Sequence, residues 1–385
     1  MIPYSKQSVS QDDIDAVNQV LRSNFLTQGP KIEEFEFALA DYFGSNYAIC
    51  CSSGSSALHL AYAGLGAEAS SIAIVPAVTF SATANAFKYL GSKVIFCDID
   101  PETGLLSIEH LEEILSKLNQ SKQNQKGFIT PVSFAGMVAP LQRCREISNK
   151  YGFHLIEDAS HSFGATNEKT DRSGDCERVD ASCLSFHPVK HICCGEGGAI
   201  LTNSSELNSI AKRMRSHGIH RPHGDDHATP WYYEQVELGW NYRMTDIQAA
   251  LGISQLKRVD QMISMRRKIA QRYDVVFQET EFQESFARPI YEVGHSWHLY
   301  IIRFHKKGVR DEAHKFLKNR GILTQVHYVP LYKHPYYEKE NGKIQLPGAE
   351  QYFGGCLSIP IFPDLWEEEQ ERIITELRNF IEKGN

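Results

Sequence analysis

Between residues 47 and 202 the chain alternates short apolar runs with longer segments of helical periodicity, and this alternation constrains the fold more than any other feature. Short apolar runs joined by helices are typical of an α/β layer with a mainly parallel central sheet. The runs predict strands at 47–51, 72–75, 94–97, 128–132, 153–156, 181–186 and 199–202, and the segments among and after them predict helices at 55–65, 81–90, 108–118, 141–151 and 207–217.

The spacing of apolar residues in the sequence changes after Thr245. Apolar residues with helical spacing predict one long helix over 245–273, and then a strand with one exposed face at 297–304. Helices are predicted at 309–320 and 366–383. Because 385 residues suit two domains, we expect a large domain over 1–254 and a smaller C-terminal α+β domain over 255–385, on which the N-terminal helix could also pack.

Composition excludes several classes of function. A net charge of −7 indicates no basic surface for nucleic acid, and no apolar run reaches the roughly 18 residues of a membrane span. The N-terminus lacks the apolar region of a signal peptide. Nine cysteines without a C-x-x-C spacing indicate reduced, buried thiols rather than a zinc or redox site. We therefore expect a cytoplasmic protein that binds neither metal, membrane nor nucleic acid.

Polar residues follow two predicted strands at their carboxyl ends, where ligands bind in open α/β sheets. Asp158 ends one apolar run, Ser185 ends the next, and Lys190 follows before a glycine-rich turn at 195–198. A lysine can form a Schiff base with pyridoxal phosphate (PLP), and a carboxylate can hold the ring nitrogen of PLP protonated. Taken singly, Asp158 could equally be a helix cap and Lys190 a surface lysine.

Two further features fall at the same predicted edge of the sheet. The turn Ser53-Gly54-Ser55-Ser56 opens a helix directly after a strand, which suits either a bound phosphate or a plain helix cap. Phe80 ends another strand and could stack on a flat cofactor or pack in the core. An anion turn, an aromatic ring, an aspartate, a serine and a lysine at one edge together predict a PLP site.

Five sequence motifs, in order along nearly the whole chain, carry a resemblance. They are Leu-Thr-Gln-Gly-Pro at 26–30, Glu-Asp-Ala-Ser-His-Ser-Phe-Gly-Ala at 157–165, Ser-Phe-His-Pro-Val-Lys at 185–190 with Gly-Glu-Gly-Gly at 195–198, Gly-Trp-Asn-Tyr-Arg-Met-Thr-Asp-Ile-Gln-Ala-Ala at 239–250, and His-Tyr-Val-Pro-Leu-Tyr at 327–332. Through them the chain resembles the DegT/DnrJ/EryC1/StrS family, whose members are PLP-dependent aminotransferases of nucleotide-linked keto sugars.

The resemblance implies the aspartate-aminotransferase-like fold (fold type I) and a homodimer that shares its active sites. Lys190 would carry the cofactor and Asp158 would pair with its ring nitrogen. The other implied cofactor contacts are Ser55, Ser56 and Ser185 to the phosphate, Phe80 and His161 to the ring, and Asn241 to the phosphate of the partner subunit's cofactor. The implied substrate contacts are Thr27, His187, Arg221, Trp231, Tyr232, His327 and Tyr328, with the loop 220–234 closing over the nucleotide sugar.

Within that family, residues 1–8 and 26–30 are most similar to members of the pseudaminic acid pathway. Those members aminate C4 of a UDP-linked 4-keto-6-deoxy-N-acetylhexosamine with L-glutamate as donor. The alternatives are amination of another keto sugar, at C3 or on a dTDP or GDP carrier, and a binding homologue without catalysis. Some family members are dehydratases with histidine at the lysine position, so Lys190 favours transamination.

Two positions depart from the pattern that many members of the family share. His161 stands where many have glutamine near the cofactor's phenolic oxygen, and we expect its charge to respond to pH. Ser133 stands where many have histidine, which puts one substrate contact in question.

Overall fold

The computed structural model describes residues 1–120, 125–167, 171–221, 231–290 and 292–384. The strands are β1 (Tyr47–Cys51), β2 (Ile72–Pro76), β3 (Lys93–Cys97), β4 (Gly127–Ile129), β5 (His154–Asp158), β6 (Ala181–Ser185), β7 (Gly198–Thr202), β8 (Ile219–His220), β9 (Glu234–Gln235), β10 (Phe286–Ala287), β11 (Tyr300–Phe304) and β12 (Cys356–Ile359). The helices are α1 (Gln11–Leu21), α2 (Pro30–Phe43), α3 (Gly54–Gly64), α4 (Ser81–Lys88), α5 (Ile108–Gln120), α6 (Leu141–Tyr151), α7 (Ser205–Met214), α8 (Asp246–Leu256), α9 (Val259–Val276), α10 (Thr280–Ser285), α11 (Val309–Lys318), α12 (Pro335–Asn341), α13 (Pro347–Gly355) and α14 (Glu367–Gly384), with a 3₁₀ turn at Leu331–Lys333.

The central sheet of the described chain has seven strands in the order β1-β7-β6-β5-β4-β2-β3. Strand β7 runs antiparallel to β1 and β6, and every other neighbouring pair is parallel. The predicted mainly parallel α/β fold is therefore confirmed. Because β7 runs the other way, its first residue meets the carboxyl ends of β1 and β6, where Gly198 pairs with Cys51 and Ser185.

Apolar side chains cover both faces of this sheet. Tyr62 on α3 and Phe87 on α4 pack with Phe128 on one side. Leu111 on α5 and Ile147 on α6 belong to a second cluster on the other side. Burial on both faces explains why the strands read as continuous apolar runs rather than as an alternation.

A smaller sheet, in the order β10-β11-β12, follows in the chain, and β11 is buried on both faces. Leu299 and Ile301 belong to the core of the central sheet, whereas Tyr300 and Ile302 belong to a separate C-terminal core. The prediction of an exposed face at 297–304 is thus wrong. The strand lies between two apolar cores, an arrangement that its local alternation does not reveal.

The long helix predicted over 245–273 is two helices, α8 and α9, separated at Lys257 and Arg258. Arg258 leaves the helical conformation (φ −121°, ψ 10°), and its Nη2 donates to the buried Asp13 at 2.6 Å and to the carbonyl of Ser8 at 2.8 Å. Apolar spacing continues across the break, so periodicity alone could not locate it. Helix α1, which carries Asp13, packs against α8. The proposed domain boundary near residue 255 falls next to this break and stays a prediction.

A buried carboxylate joins two of the sequence motifs. Helix α2 begins after Gly29, which has no side chain to cap it, and Asp246 supplies the cap from the start of α8. Its oxygens accept the backbone N–H of Gly29 at 2.8 Å and of Lys31 at 3.0 Å, and its own N–H donates to the carbonyl of Leu26 at 3.0 Å. The segments 26–30 and 239–250 therefore form one structural unit.

All nine cysteines lie in described segments, and each is buried and free of a disulfide, as predicted. Throughout the ranges given above, none of the helices combines the length and the apolar character that crossing a bilayer requires.

We expect Asp246→Ala to lower the free energy of unfolding by about 2 kcal/mol, because it removes a helix cap and leaves two half-buried amide groups without an acceptor. Urea denaturation measures the loss, and Asp364→Ala at an exposed position is the matched control. A stability equal to that of the control would show that the cap contributes nothing.

Candidate active site

A cavity of about 690 Å³ opens at the carboxyl edge of the central sheet. Segments that follow β1, β2, β5 and β6 all contribute side chains to it, because these strands end at the same edge. The predicted site residues that line it are Ser55, Phe80, Asp158, His161, Ser185, His187, Lys190, His327 and Tyr328. The fold thus brings together side chains that are up to 273 positions apart, from Ser55 to Tyr328.

Asp158 is the last residue of β5 and is almost fully buried. Its Oδ2 accepts a hydrogen bond from the hydroxyl of Thr83 at 2.7 Å, and its Oδ1 accepts the backbone N–H of Ser160 at 3.2 Å. Both oxygens are held by neutral donors. The carboxylate therefore has a defined orientation at the wall of the cavity.

Lys190 follows β6 through a turn in which its N–H donates to the carbonyl of His187 at 2.8 Å. Burial lowers the pKa of its ammonium group to about 8, and the nearby Asp158 carboxylate opposes part of that shift. Because its pKa is lowered, more of the Lys190 amine is neutral near physiological pH than in an ordinary lysine. A neutral amine is what a nucleophile or a general base requires.

The turn before α3 forms a cradle with the end of β6. Ser53, Gly54, Ser55 and Ser185 all line the cavity, and the first amide groups of α3 have no carbonyl partner inside the helix. A Cβ on Gly54 would lie 2.9 Å from Cβ of Ser185, and one on Gly198 would lie 2.4 Å from the carbonyl oxygen of Ser53. Only glycine permits this close approach, which makes a compact site for an anion.

Ser56, also a predicted phosphate contact, is not among the residues that line the cavity. Its hydroxyl donates to the carbonyl of Ser53 at 2.8 Å and accepts the N–H of Ser53 at 2.9 Å, while its own N–H donates to the Ser53 hydroxyl at 3.1 Å. Ser56 is therefore half of a capping box and is buried. Neighbouring serines in one turn look alike in sequence, yet Ser53 and Ser55 line the cavity and Ser56 does not.

His161 is buried in the cavity wall, with its Nε2 hydrogen bonded to the hydroxyl of Tyr328 at 3.2 Å. Burial holds the pKa of His161 well below its usual value, and the charge of Lys190 adds to this effect. The lowered pKa favours the neutral imidazole, and the expected response of its charge to pH stays a prediction. Its Nδ1 has no hydrogen-bond partner in the described parts of the chain. Buried nitrogens without partners are costly, and a bound group within reach would remove that cost.

Aromatic rings and imidazoles form the outer part of the cavity. Phe80 is 57% exposed at the mouth, with its ring 6.0 Å from that of Tyr328. The Nδ1 of His327 is 2.7 Å from the hydroxyl of Ser358, and burial lowers the pKa of His327 to about 3. His187 is exposed at the edge. The outer cavity therefore presents aromatic faces and a neutral imidazole, without a fixed charge from these residues.

The predicted residues Thr27, Asn241, Arg221, Trp231 and Tyr232 are not among those that line this cavity. Thr27 pairs with Thr245, and Asn241 pairs with Ser216, through isolated β-bridges. The Arg221 guanidinium lies over the Tyr233 ring. Trp231 is 72% exposed, and the Tyr232 hydroxyl donates to the Glu234 carboxylate at 2.7 Å. Residues 222–230 of the predicted closing loop lie outside the described residues. The roles of these residues stay predictions.

Ser133 is buried away from the cavity, beside Glu157. Its hydroxyl donates to the Glu157 carboxylate and accepts the N–H of Ala139 at 3.0 Å. Glu157 also accepts from Ser182 at 2.8 Å and from the N–H of Gly174 at 2.9 Å, and burial raises its pKa. Ser133 therefore contacts a buried carboxyl group and is not among the residues that line the cavity.

Other residues of the cavity wall were not predicted from the sequence: Tyr4, Thr79, Glu196, Gln325 and His334. Tyr4 comes from the N-terminus and its ring centroid lies 5.5 Å from that of His327, a contact that only the tertiary fold creates. Thr79 has a signal in the sequence, because it directly precedes Phe80 at the end of a predicted strand.

Comparison with known proteins decides the family. A model of the DegT/DnrJ/EryC1/StrS aminotransferase family matches residues 7–378. The chain belongs to this family. Because the match covers all five motifs, the family's pattern extends over the site and both apolar cores.

Individual members of the family are similar to this chain over almost their full lengths. The UDP-4-amino-4,6-dideoxy-N-acetyl-beta-L-altrosamine transaminase of Campylobacter jejuni is 37% identical over 385 residues, which are 100% of this chain and 98% of the relative. The spore coat polysaccharide biosynthesis protein SpsC of Bacillus subtilis is 32% identical, covering 99% and 97%. Among solved structures, Helicobacter pylori PseC, an aminotransferase involved in the biosynthesis of pseudoaminic acid, has a TM-score of 0.90 at 30% identity, covering 99% of both chains.

The cofactor follows from the family and from a further solved structure. NtdA of Bacillus subtilis, with bound cofactor PMP, has a TM-score of 0.85 at 28% identity and covers 97% of this chain and 83% of its own. The predicted fold type I and the predicted PLP dependence are confirmed, and the protein is a transaminase. The cavity fits PLP on its own chemistry, with an anion cradle, a fixed carboxylate, a lysine of lowered pKa and the unpartnered His161 nitrogen.

We expect Ser133→Ala to lower the free energy of unfolding by about 1–3 kcal/mol and to leave the affinity for PLP unchanged, because Glu157 loses a donor outside the cavity. Urea denaturation and PLP titration measure the two quantities. Ser209→Ala, an exposed serine on α7, is the matched control. Weaker PLP binding at unchanged stability would instead place Ser133 in the active site.

Proposed function

We propose that this protein transfers the amino group of L-glutamate to C4 of a UDP-linked 4-keto-6-deoxy-N-acetylhexosamine, in pseudaminic acid biosynthesis. The observation that carries the proposal is a lysine of lowered pKa facing a fixed carboxylate in one cavity, Lys190 and Asp158. The full-length similarity to the Campylobacter jejuni transaminase and to PseC supports the sugar. Both are named for this chemistry or this pathway.

PLP, when bound, supplies the electron sink that makes a C–H bond next to nitrogen acidic. Asp158 keeps a proton on the ring nitrogen, since its oxygens are already oriented by Thr83 and Ser160. Ser55, Ser185 and the amino end of α3 bind the phosphate. Phe80 covers the ring from the mouth of the cavity. Together these residues would hold the cofactor at the carboxyl edge of the sheet, in the same cavity as Lys190.

Lys190 moves the proton in both halves of the reaction. Its amine removes a proton from the α-carbon of glutamate and returns one at the cofactor's C4′, and with the keto sugar it works in the reverse direction. Because burial lowers its pKa to about 8, Lys190 can both accept and release a proton near neutral pH. Lys190 and Asp158 line the same cavity, so the amine works next to the carboxylate.

The outer cavity binds the sugar. His327 and Tyr328 provide a neutral imidazole and a hydroxyl, groups that form hydrogen bonds with an uncharged ring. Phe80 adds an aromatic face. Neutral hydrogen-bonding groups and an aromatic face suit a neutral keto sugar, and they leave the charged diphosphate to residues outside this cavity, such as Arg221.

The partner subunit of a homodimer completes the site in this proposal. Thr27 and Asn241 lie outside the cavity of their own chain. Exposed apolar side chains stand close to both in sequence, since Leu26 is 48% exposed and Leu238 is 77% exposed. Apolar surface of this kind is typical of a covered face, so a second copy would bring Asn241 to the phosphate of its neighbour.

We expect the covalent attachment of PLP to the cofactor-free protein to quicken with pH and to level off near pH 8, where Lys190 becomes neutral. With an ordinary lysine, of pKa about 10.4, the rate would still rise tenfold per pH unit through pH 9. Stopped-flow absorbance of the visible band gives the rate.

Lys190→Ala should lack this borohydride-reducible band and should lose roughly 10²- to 10⁴-fold or more in amino transfer. Lys257→Ala, at an exposed position, should keep both. A Lys190→Ala protein that turned over like the wild type would refute the assignment. No PLP band in the wild type would indicate a binding homologue instead.

A panel of nucleotide keto sugars tests the substrate. We expect the UDP-linked 4-keto-6-deoxy-N-acetylhexosamine to be aminated at C4 at least roughly 100-fold faster, in kcat/KM, than dTDP or GDP keto sugars, since a mismatched polar group in a closed site costs several kcal/mol. NMR of the products assigns C3 or C4. Preference for another sugar would leave the assignment as a transaminase intact and would change only the assigned substrate.

A further inference from the structure

We propose that Thr83, supported by Thr79, is a positioning residue that aims the Asp158 carboxylate at the ring nitrogen of the cofactor. The inference rests on the proposed role of Asp158. It adds a pair of deeply buried hydroxyl groups, Thr79 in the cavity wall and Thr83 behind it, as the element that determines how well that carboxylate works.

The direction of the hydrogen bonds follows from the chemistry of the groups. The Thr83 Oγ1 is 2.7 Å from Asp158 Oδ2, and the Thr79 Oγ1 is 2.8 Å from that of Thr83. An ionised carboxylate only accepts, so the single hydroxyl proton of Thr83 goes to Asp158. Thr79 must then donate its own proton to Thr83. The result is a one-way chain from Thr79 through Thr83 to Asp158.

This chain holds the carboxylate without neutralising it. Thr83 engages Oδ2 and the N–H of Ser160 engages Oδ1, so rotation about the last side-chain bond would break at least one hydrogen bond. A lysine or arginine in place of Thr83 would pair with the charge and compete with the ring nitrogen. A hydroxyl donor orients the group and leaves its charge available.

The local structure explains why two threonines can do this. Thr79 and Thr83 are four positions apart across the start of α4, so their hydroxyls face each other. The N–H of Thr83 donates to the carbonyl of Phe80 at 3.2 Å, and the carbonyl of Thr83 accepts from the Tyr62 hydroxyl at 3.3 Å. One turn therefore supports Asp158 from behind and presents Phe80 at the mouth of the cavity.

The test replaces the hydroxyl without changing the shape. Thr83→Val should weaken PLP binding by roughly 10- to 100-fold, because a hydrogen bond to a charged group is lost, whereas Thr83→Ser should stay close to the wild type. Thr79→Val should have a smaller effect in the same direction. Titration of the cofactor-free protein with PLP gives the affinity, and the pH dependence of the visible band reports how strongly the bound ring is polarised.

Thr202→Val is the matched control. Thr202 is equally buried, and its hydroxyl donates to the carbonyl of Asp180 at 2.8 Å, at the end of β7 away from the cavity. It should lose stability as Thr83→Val does, and keep PLP affinity and spectrum. Were Thr83→Val to fail to fold, Thr79→Val would take its place in the comparison.

Wild-type PLP affinity and spectrum in Thr83→Val would overturn the inference, as would a loss that serine does not restore. Asp158→Asn separates this from the proposed function. If Asp158→Asn impairs PLP binding while Thr83→Val does not, only the role of Thr83 fails. If Asp158→Asn also leaves affinity and spectrum unchanged, the role of Asp158 fails as well.

Discussion

The parallel pairing of β5 with β6 is the constraint on which the site depends. It places Asp158 beside Cys183, two residues before the end of β6, so that Ser185 and then Lys190 follow at the same edge. Asp158 and Lys190 need no direct contact to be brought together, since the register of the two buried strands places both at this edge. A slip of one residue in this pairing would turn every side chain of the strand to the other face of the sheet.

Residues at strand ends were therefore predictable, and those that depend on side-chain direction were not. Asp158, Ser185 and Lys190 followed from strand order alone, and they line the cavity. The position of Ser56 outside the cavity was not predictable, because the sequence cannot tell which hydroxyl of a serine-rich turn caps the helix. For the same reason Tyr4, which reaches the cavity from the N-terminus, has no local signal.

The buried polar groups divide into two kinds. Asp246 and Glu157 hold segments of the protein together, and their partners are backbone amides and serine hydroxyls remote from the cavity. Asp158 is held in a similar way, by Thr83 and a backbone amide, yet it faces the cavity. The same donors thus serve either role, and what distinguishes a functional carboxylate here is open space on one side of it.

The position of β11 between two apolar cores has a consequence for how the molecule comes apart. Ile301 and Ile302 are adjacent in the chain, yet each belongs to a different core, so neither core can lose its packing without exposing one face of the same strand. Sharing a strand couples the opening of the two halves. The C-terminal core, which provides no residue of the lysine–aspartate pair, is in this way tied to the integrity of the sheet that does.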